Sequence, residues 1–398
     1  MELNVKFYLI CFLDSLALGL FLPILSTHIT TLGGTHTILG TLATLYTISR
    51  LFAGSLTRSW SDTFGKKAAL LFILAINYIV YLPFGTTKSY VNLIVLRLVV
   101  GLTSQTQSIC NSFISEFNSK ESLPNVQSVT NVLAVAGFVV GPMIAGALYG
   151  ETDGFYYICR FAAILLFICI LIAVTLPNST GTSSEVNLTF LTRAVSDLQK
   201  KFSKIGKLKF KEDWHIIALK FLHSVSATVF FMKFSMLLKV HYKLSSVIIG
   251  CTYSYQGSLT FLAPFIIPFI NISKSNSSTV ISLFIATVGF MGLCFAKTYD
   301  WYLISFIPMI LAHTLLNATW KKAFTERSSK DYEIEGVQDG IGDIASIITP
   351  FIFGIFCDLY GVYALQSYTI IPMLLSILIA VITICPPSPI KRVEKKID

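Results

Sequence analysis

GFVVGPMIAGALYG, residues 137–150, returns in modified form as DIASIITPFIFGIFCDLYG, residues 343–361. Both stretches carry a proline followed four residues later by a glycine, and both close with Leu-Tyr-Gly. Upstream of each lies a Glu-x3-Lys pair, and the two glutamates, Glu116 and Glu326, are 210 residues apart. Several matches in the same order rarely arise by chance, so the chain is predicted to contain two related halves.

The composition indicates which solvent surrounds the two halves. Of the 398 residues, 54% are hydrophobic and only 13% are charged, whereas about a quarter of the residues in a soluble domain are charged. A chain of this length could form two or three soluble domains, but these would need more charged surface. Because roughly 20 apolar residues span a bilayer as a helix, the composition predicts an integral membrane protein.

Twelve apolar segments have spanning length, six on each side of the longest polar break. The predicted fold class is therefore all-α and integral to the membrane, with twelve transmembrane helices in two six-helix pseudo-repeats. The first segment contains Asp14 and lacks a small-residue cleavage site, so it is predicted to be a retained helix rather than a signal peptide. The predicted spans are 5–27, 37–58, 68–86, 90–112, 127–149, 156–177, 214–238, 245–270, 279–296, 301–320, 338–359 and 363–385.

The lysines and arginines predict the direction in which the spans run. With both termini in the cytoplasm, 21 of the 30 basic residues border inner segments, 4 lie in outer segments and 5 fall within spans. Cytoplasmic loops of membrane proteins carry such an excess. The bias predicts that both termini are cytoplasmic, and it explains the net charge of +9 without a nucleic acid partner. The membrane is expected to be the plasma membrane or an organelle membrane.

Four parts follow from this pattern: an N-terminal bundle (1–177), a cytoplasmic linker (178–213), a C-terminal bundle (214–386) and a cytoplasmic tail (387–398). The linker spaces apolar residues helically between lysines, which suggests an amphipathic helix on the inner membrane surface. A solvated linker fits equally well, because the apolar face is narrow. The eight cysteines stand singly in apolar segments without ligand spacing, so neither a metal site nor a cofactor is expected.

The turn between the second and third spans, WSDTFGKK at 60–67, is short and charged. Gly65 can adopt the backbone angles that a tight turn requires, and Asp62 can cap the start of the next helix. Lys66 and Lys67 would hold the inner end of that helix at the membrane interface. Local chemistry alone therefore predicts an ordinary capped turn.

The same turn carries a family resemblance. The chain resembles the twelve-helix members of the major facilitator superfamily, whose motif Gly-x3-Asp-Arg-x-Gly-Arg-Arg occupies this loop. The aspartate, the second glycine and the final basic pair match, while Arg58 and Thr63 replace the first glycine and the first arginine. Within the superfamily, the chain resembles the drug–proton antiporter branch that includes the tetracycline exporters. In that branch it is most similar to the animal major facilitator superfamily domain-containing proteins of the group numbered nine. The resemblance implies a turn that latches the halves in the outward-open state and releases them on inward opening, with the capped turn as the alternative.

Three further stretches are similar to motifs of that branch. The first span contains Leu-Asp-x4-Gly-x3-Pro, in which the aspartate is Asp14. The fourth span contains an Arg-x3-Gly pattern formed by Arg97 and Gly101. The resemblance implies antiport, with Arg97 linked to proton coupling. Small residues four apart also let helices approach closely, so packing and motif agree in the fifth span, at Gly137, Gly141, Pro142 and Gly146.

Charged residues inside spans are strong functional candidates, because placing each charge in the membrane costs several kcal/mol unless it is paired or solvated. Asp14 lies nine residues from the inner end of the first span, or about 13 Å along a helix. Arg50 lies eight residues from Arg58 at the inner end of the second span, or about 12 Å. We therefore predict that Asp14 pairs with Arg50 while Arg97 faces the same cavity, in a functional or a purely structural ion pair.

Polar groups in other spans are candidates for a solute cavity. His223 and His313 suggest a proton site, since histidine titrates near neutral pH, although a lone histidine in a span is more often simply hydrogen-bonded. One of the two lysines in the seventh span, Lys220 or Lys233, is expected to extend its ammonium to the interface. The other side chains expected to line the cavity are Gln105, Asn111, Tyr253, Tyr255, Gln256 and Asn317.

Two classes of function remain. The first is a proton-coupled secondary active transporter of a small organic solute. The arginines and lysines would favour an anionic solute. The partners of such a transporter are the solute, the proton and the lipid bilayer. The second is a non-transporting scaffold or receptor on the same fold. A membrane enzyme is disfavoured, because the sequence has no Gly-rich phosphate loop, metal cluster or nucleophile–base signature.

Overall fold

The computed structural model describes residues 2–150, 154–178, 210–266, 275–327, 337–361 and 365–384, together with isolated positions between 195 and 203. Within these residues the chain forms thirteen helices. They are α1 (Glu2–Thr31), α2 (His36–Phe64), α3 (Lys66–Phe84), α4 (Tyr90–Leu102), α5 (Thr106–Phe117), α6 (Leu123–Tyr149), α7 (Gly154–Val174), α8 (Phe210–Val240), α9 (Ser246–Ile266), α10 (Ser275–Phe295), α11 (Tyr299–Arg327), α12 (Val337–Tyr360) and α13 (Leu365–Ile384).

The predicted all-α membrane fold is confirmed. Eleven of the predicted spans each correspond to one helix, and the fourth corresponds to α4 and α5 together. In the described residues, nine stretches are long and apolar enough to cross a membrane. The fourth span breaks at Thr103, whose hydroxyl donates to the Asn77 side-chain oxygen and to the Val99 carbonyl (3.0 Å). Consecutive hydroxyl and amide side chains compete with helical hydrogen bonds, which explains the interruption.

The described helices pack around two large hydrophobic cores, beside a third, small cluster of Val229, Phe353 and Cys357. One core draws on α1–α7, with the Phe21 ring packed edge-on against Tyr81 and Phe84. The other draws on α8–α13, with Phe234 edge-on against Tyr253 and Phe306. We call these groups the first half and the second half. The predicted linker (178–213) falls mostly outside the described residues and the tail (387–398) wholly outside, so the predicted domain bounds stay predictions.

Helix α6 packs closely against a helix of each half because its glycines leave room for backbone. A Cβ added at Gly137 would collide with the Phe12 carbonyl of α1, and one at Gly141 would lie 2.7 Å from the Gly19 carbonyl carbon. One turn further along, a Cβ at Gly146 would collide with the Ser246 carbonyl at the start of α9. The small-residue pattern of the fifth predicted span thus places one helix against both halves.

The Gly65 turn marks one end of the bundle, which we call the turn end; the opposite end is the distal end. Gly65 has φ 89° and ψ 152°, a backbone conformation that favours glycine, as predicted. Helices α2 and α12 run antiparallel and meet at the distal end. A Cβ at Gly40 would lie 2.9 Å from the Pro350 carbonyl carbon and one at Gly354 2.6 Å from the His36 carbonyl oxygen, so the two backbones touch.

Hydrogen bonds between the halves reinforce this distal contact. The Asp358 carboxylate, on the last turn of α12, accepts from the backbone N–H groups of His36 (2.9 Å) and Thr37 (2.8 Å) and from the Thr37 hydroxyl (2.6 Å). It therefore caps the N-terminus of α2 from the other half. The Thr44 hydroxyl donates to the Ile347 carbonyl (2.7 Å). Further such bonds join α1 to α8, through Ser26 and Ser235 (2.7 Å), and α9 to α6, through Ser254 and Val139 (2.5 Å).

At the turn end the same two helices stand apart. Among the described residues, a Cβ at Gly54 would meet no atom within 4 Å, and one at Gly342 would meet only the Ser224 hydroxyl at 3.8 Å. Gly54 lies on the face of α2 that carries Gly40, since the intervening residues follow helical spacings of three and four. The structure is therefore closed at its distal end and open at its turn end.

Candidate functional site

A cavity of about 350 Å³ in the second half opens toward this gap. Asp343 lies on its wall, and Asp343, Ile347, Pro350 and Gly354 share one face of α12 at spacings of four, three and four. The face that contacts α2 at the distal end therefore borders the cavity at the turn end. The lining residues come from α8, α11 and α12: Lys220, His223, Ser224, Ala227, Thr228, His313, Asn317, Gln338, Asp339, Gly342, Asp343 and Ser346.

Five side chains at this cavity form a continuous hydrogen-bonded chain. Trp320 Nε1 donates to His223 Nδ1 (3.4 Å), and His223 Nε2 lies 3.1 Å from His313 Nδ1. His313 Nε2 lies 3.2 Å from the Asn317 side-chain nitrogen, and the Asn317 side-chain oxygen lies 3.4 Å from Lys220 Nζ. His223 and Trp320 are each 1% exposed and Lys220 is 9% exposed. The two histidines that the sequence suggested as a proton site thus meet in one hydrogen-bonded network, in which Asn317 is exposed.

A second cavity, of about 480 Å³, opens between α2 and α5 in the first half. Gly54 and Arg58 continue the α2 face that begins at Gly40 and Thr44, so this cavity and the one on α12 lie on opposite sides of the open gap. Gln105, a predicted cavity residue, lies here. The full lining is Leu51, Gly54, Ser55, Thr57, Arg58, Ser61, Asp62, Gln105, Ser108, Ile109 and Ser112.

The structure does not form the predicted ion pair between Asp14 and Arg50. Asp14 is partly exposed on α1 beside Thr106 of α5, and Arg50 is exposed on α2. Equal depth along two neighbouring helices does not fix the rotation of either helix about its axis, and that rotation separates the two charges. The prediction that these residues pair is therefore wrong for this structure.

Arg97 is buried against aromatic rings. Its guanidinium carbon is 4.0 Å from the centre of the Tyr46 ring and 5.3 Å from that of Phe21, and the residue is only 4% exposed. Its Nε and Nη1 atoms have no hydrogen-bond partner among the described residues. Stacking on aromatic faces stabilises a buried guanidinium. That Arg97 faces the same cavity as Asp14 stays a prediction.

At the charged turn, Gly65, which bears no side chain, is the N-cap residue of α3. Asp62 lies in the last turn of α2, on the wall of the first-half cavity. The cap by Asp62 stays a prediction. Lys66 pairs with Glu116 (2.9 Å) and donates to the Ser112 carbonyl (2.8 Å), and Lys67 donates to the Leu176 carbonyl (2.6 Å). In this open arrangement the basic pair contacts its own half.

The remaining predicted cavity residues line neither of the two cavities. Tyr253 packs against Phe234 with ring centres 4.6 Å apart, and the Tyr255 hydroxyl donates to the Leu303 carbonyl (3.3 Å), so both serve the second core. Gln256 is partly buried on α9. The Asn111 side-chain oxygen is buried without a partner among the described residues. That these side chains line the solute cavity stays a prediction.

Two residues central to this geometry were missed by the sequence analysis. Trp320 follows His313 by seven residues and Asn317 by three, so all three share one face of α11, and that spacing could have revealed it. Asp358 stands directly before the second Leu-Tyr-Gly, where the first half has Ala147. A charge on only one side of the internal repeat is a signal for a contact made by one half.

Comparison with known proteins places the chain in a family. Residues 7–332 match the model of the Major Facilitator Superfamily. The chain is 26% identical over 171 residues to major facilitator superfamily domain-containing protein 10 of Bos taurus, a match covering 43% of this chain and 36% of that protein. It is 23% identical over 205 residues to the class E tetracycline resistance protein of Escherichia coli, covering 50% of each. The matched regions span about a third to a half of these relatives' own length.

The fold itself agrees with a solved transporter structure. The crystal structure of the nucleoside transporter NupG superimposes with a TM-score of 0.75 at 16% sequence identity, covering 96% of this chain and 98% of the other. The animal relative reported above carries the number ten, so the finer resemblance to the group numbered nine is not established. With a family match over most of its length and the same helical architecture, this multi-pass membrane chain belongs to the Major Facilitator Superfamily.

Proposed function

We propose that the chain is a secondary active transporter that moves a small organic solute by alternating access. The observation that carries the proposal is the pair of continuous faces on α2 and α12, which touch at the distal end and border two polar cavities at the turn end. Transporters built from two repeats bind their solute between the halves and expose it to each side in turn. Because the two faces continue from the distal contact to the turn end, α2 and α12 can also meet at the turn end while the distal end opens.

The lysine and arginine bias supports a cytoplasmic turn end, which makes this arrangement inward-open. Proton coupling is supported by titratable groups in both halves, Asp14 in one and the His223–His313 network in the other. The basic residues favour an anion as solute, and the group numbered nine is the proposed subfamily. The membrane is the plasma membrane or an organelle membrane.

A non-transporting scaffold or receptor is the second candidate, and the departures from the family motif at Arg58 and Thr63 favour it. Purified chain reconstituted in liposomes separates the two. A transporter accumulates members of a panel of small organic anions and drugs when a pH gradient is imposed. A scaffold or receptor shows at most saturable binding, with no accumulation above that of protein-free liposomes under any gradient.

Asp14→Asn tests the proposed coupling role. We expect accumulation driven by a pH gradient to fall to the level of protein-free liposomes, because the amide cannot carry a proton, while solute exchange at equal pH continues. Both modes are measured on the same liposome preparation. Asp300→Asn, an exposed residue in the first turn of α11, is the matched control and should leave both unchanged. Normal gradient-driven accumulation in Asp14→Asn would exclude this role.

The proposed orientation predicts how the linker is labelled. A cysteine replacing Ser203, in a background without Cys251 and Cys385, should react with an impermeant maleimide only from the cytoplasmic side. The reason is that an even number of spans precedes the linker when the N-terminus is cytoplasmic. Labelling of intact cells before and after permeabilisation measures this. Reaction in intact cells at the outer surface would reverse the assignment of the turn end.

A further inference from the structure

The hydrogen-bonded chain at the second-half cavity has a donor at each end. The indole N–H of Trp320 can only donate, and it points at His223 Nδ1 (3.4 Å). A neutral imidazole carries one N–H, so His223 must hold its proton on Nε2 and direct it to His313 Nδ1, 3.1 Å away. His313 must then hold its proton on Nε2, which faces the Asn317 amide (3.2 Å).

These tautomers determine which group Asn317 presents to Lys220, at the other end of the hydrogen-bonded chain. To accept from His313, Asn317 must turn its oxygen toward the imidazole. Turning the amide over achieves this, because its oxygen and nitrogen then exchange positions. Its NH₂ group then faces Lys220 Nζ at 3.4 Å. An ammonium has only donors, so two donors would oppose each other. Turning Asn317 over moves this conflict to another link but does not remove it.

Only the loss of one proton satisfies every link. If Lys220 is an uncharged amine, its lone pair accepts from the Asn317 NH₂ group and the chain runs in one direction from Trp320 to Lys220. Asp339 and Asp343 line the same cavity as Lys220. The titratable groups that face Lys220 are His223 on its own helix, His313 on α11, and these two aspartates on α12.

From this geometry we infer that Lys220 is a proton-binding residue that is uncharged while it completes the Trp320–His223–His313–Asn317 chain and charged when it leaves it. The coupled proton arrives as hydronium: one of its O–H bonds breaks and leaves water, the Nζ lone pair forms a new N–H bond, the hydrogen bond from Asn317 breaks, and the ammonium turns toward Asp339 and Asp343. The inference rests on the proposed transport function, since it names the group that carries a coupled proton in the second half.

The histidine tautomers provide the first test. ¹⁵N NMR of the full chain with labelled histidine, reconstituted in lipid at neutral pH, distinguishes protonation at Nδ1 from protonation at Nε2. Signals are assigned by their loss in His223→Gln and in His313→Gln. We expect both rings to be neutral with the proton on Nε2. A proton on Nδ1 of either ring, or a doubly protonated ring, would overturn the inference.

The second test removes the fixed donor. In Trp320→Phe the chain can run in the opposite direction, from a charged Lys220 through Asn317 to His223, so Lys220 retains its proton. An unfolded chain holds Lys220 charged, so the wild type binds fewer protons when folded, and its unfolding temperature should rise as pH increases through the neutral range. Trp320→Phe and Lys220→Met should each flatten this rise. Trp214→Phe, at an exposed tryptophan of α8, should leave it unchanged.

A slope in Trp320→Phe equal to that of the wild type would contradict the inference, as would a flattened slope in Trp214→Phe. Neither the NMR nor the unfolding measurement requires a transported solute. If both give the expected result while the liposome panel shows no transport, the proton site stands and the transport proposal fails. If transport is found but the tautomers are reversed, the transport proposal stands and this inference fails.

Discussion

Gly40→Leu is expected to force the distal end open and to abolish transport. A side chain at this position has no space, because its Cβ would lie 2.9 Å from the Pro350 carbonyl carbon and 3.2 Å from the Phe351 Cα. Backbone cannot move aside as a flexible side chain can, so α2 and α12 must separate. Solute accumulation in liposomes should fall to background, because the closed distal state is required in each cycle.

Accessibility shows which end has opened. Ser26, which bonds to Ser235 across the distal contact (2.7 Å), is replaced by cysteine in a background without Cys251. Its reaction with an impermeant maleimide should be faster in Gly40→Leu than in the otherwise wild-type chain. Gly54→Leu is the matched control, since its Cβ would meet no atom of the described residues within 4 Å. It should leave Ser26→Cys protected yet also stop transport, because it obstructs closure at the turn end. Unchanged reactivity in Gly40→Leu would contradict the assignment of the distal contact.

Asp358→Asn is expected to weaken the distal contact without any steric change. The carboxylate accepts three hydrogen bonds from the start of α2 through its two oxygens, and an amide offers one oxygen and presents N–H groups to the remaining donors. Loss of a helix cap costs about 1 kcal/mol, which corresponds to about a fivefold increase in the distal-open population. The rate of Ser26→Cys labelling should rise by a similar factor.

The control for this change is Glu121→Gln, an exposed acidic residue between α5 and α6, which should have no effect on labelling. The substitutions at Gly40 and Asp358 act on the same contact by different means, one by volume and one by hydrogen bonding. If Asp358→Asn labels no faster than Glu121→Gln, the carboxylate does not stabilise the distal contact.

Much of the architecture could be predicted because it depends on single residues in sequence order. The spans follow from the length of apolar runs, and the Gly65 turn follows from a backbone conformation that favours glycine. The glycines at 137, 141 and 146 pack against other helices, as the small-residue pattern of this span suggests. The break in the fourth span was not predicted, since it depends on Thr103 bonding to Asn77 on another helix.

The candidate site was predicted less well because it depends on helix rotation and on neighbours. His223 and His313 are 90 residues apart in sequence, and each was identified only by its chemistry, without its partner. Asp14 and Arg50 share a depth but point in different directions, and Arg97 stacks on rings contributed by α1 and α2. A sequence gives the height of a side chain in the membrane; the contacts between helices decide what it meets.

The glycine face of α6 separates the parts of this chain that determine selectivity from the part that joins its halves. At Gly141 and Gly146 the neighbouring helices approach main chain to main chain, so the shape of that joint is set by backbone atoms and not by side-chain chemistry. The residues that line the two cavities lie on α2, α5, α8, α11 and α12. Side chains there can therefore be exchanged, by engineering or by evolution, to accept a different solute while the joint on α6 keeps its geometry.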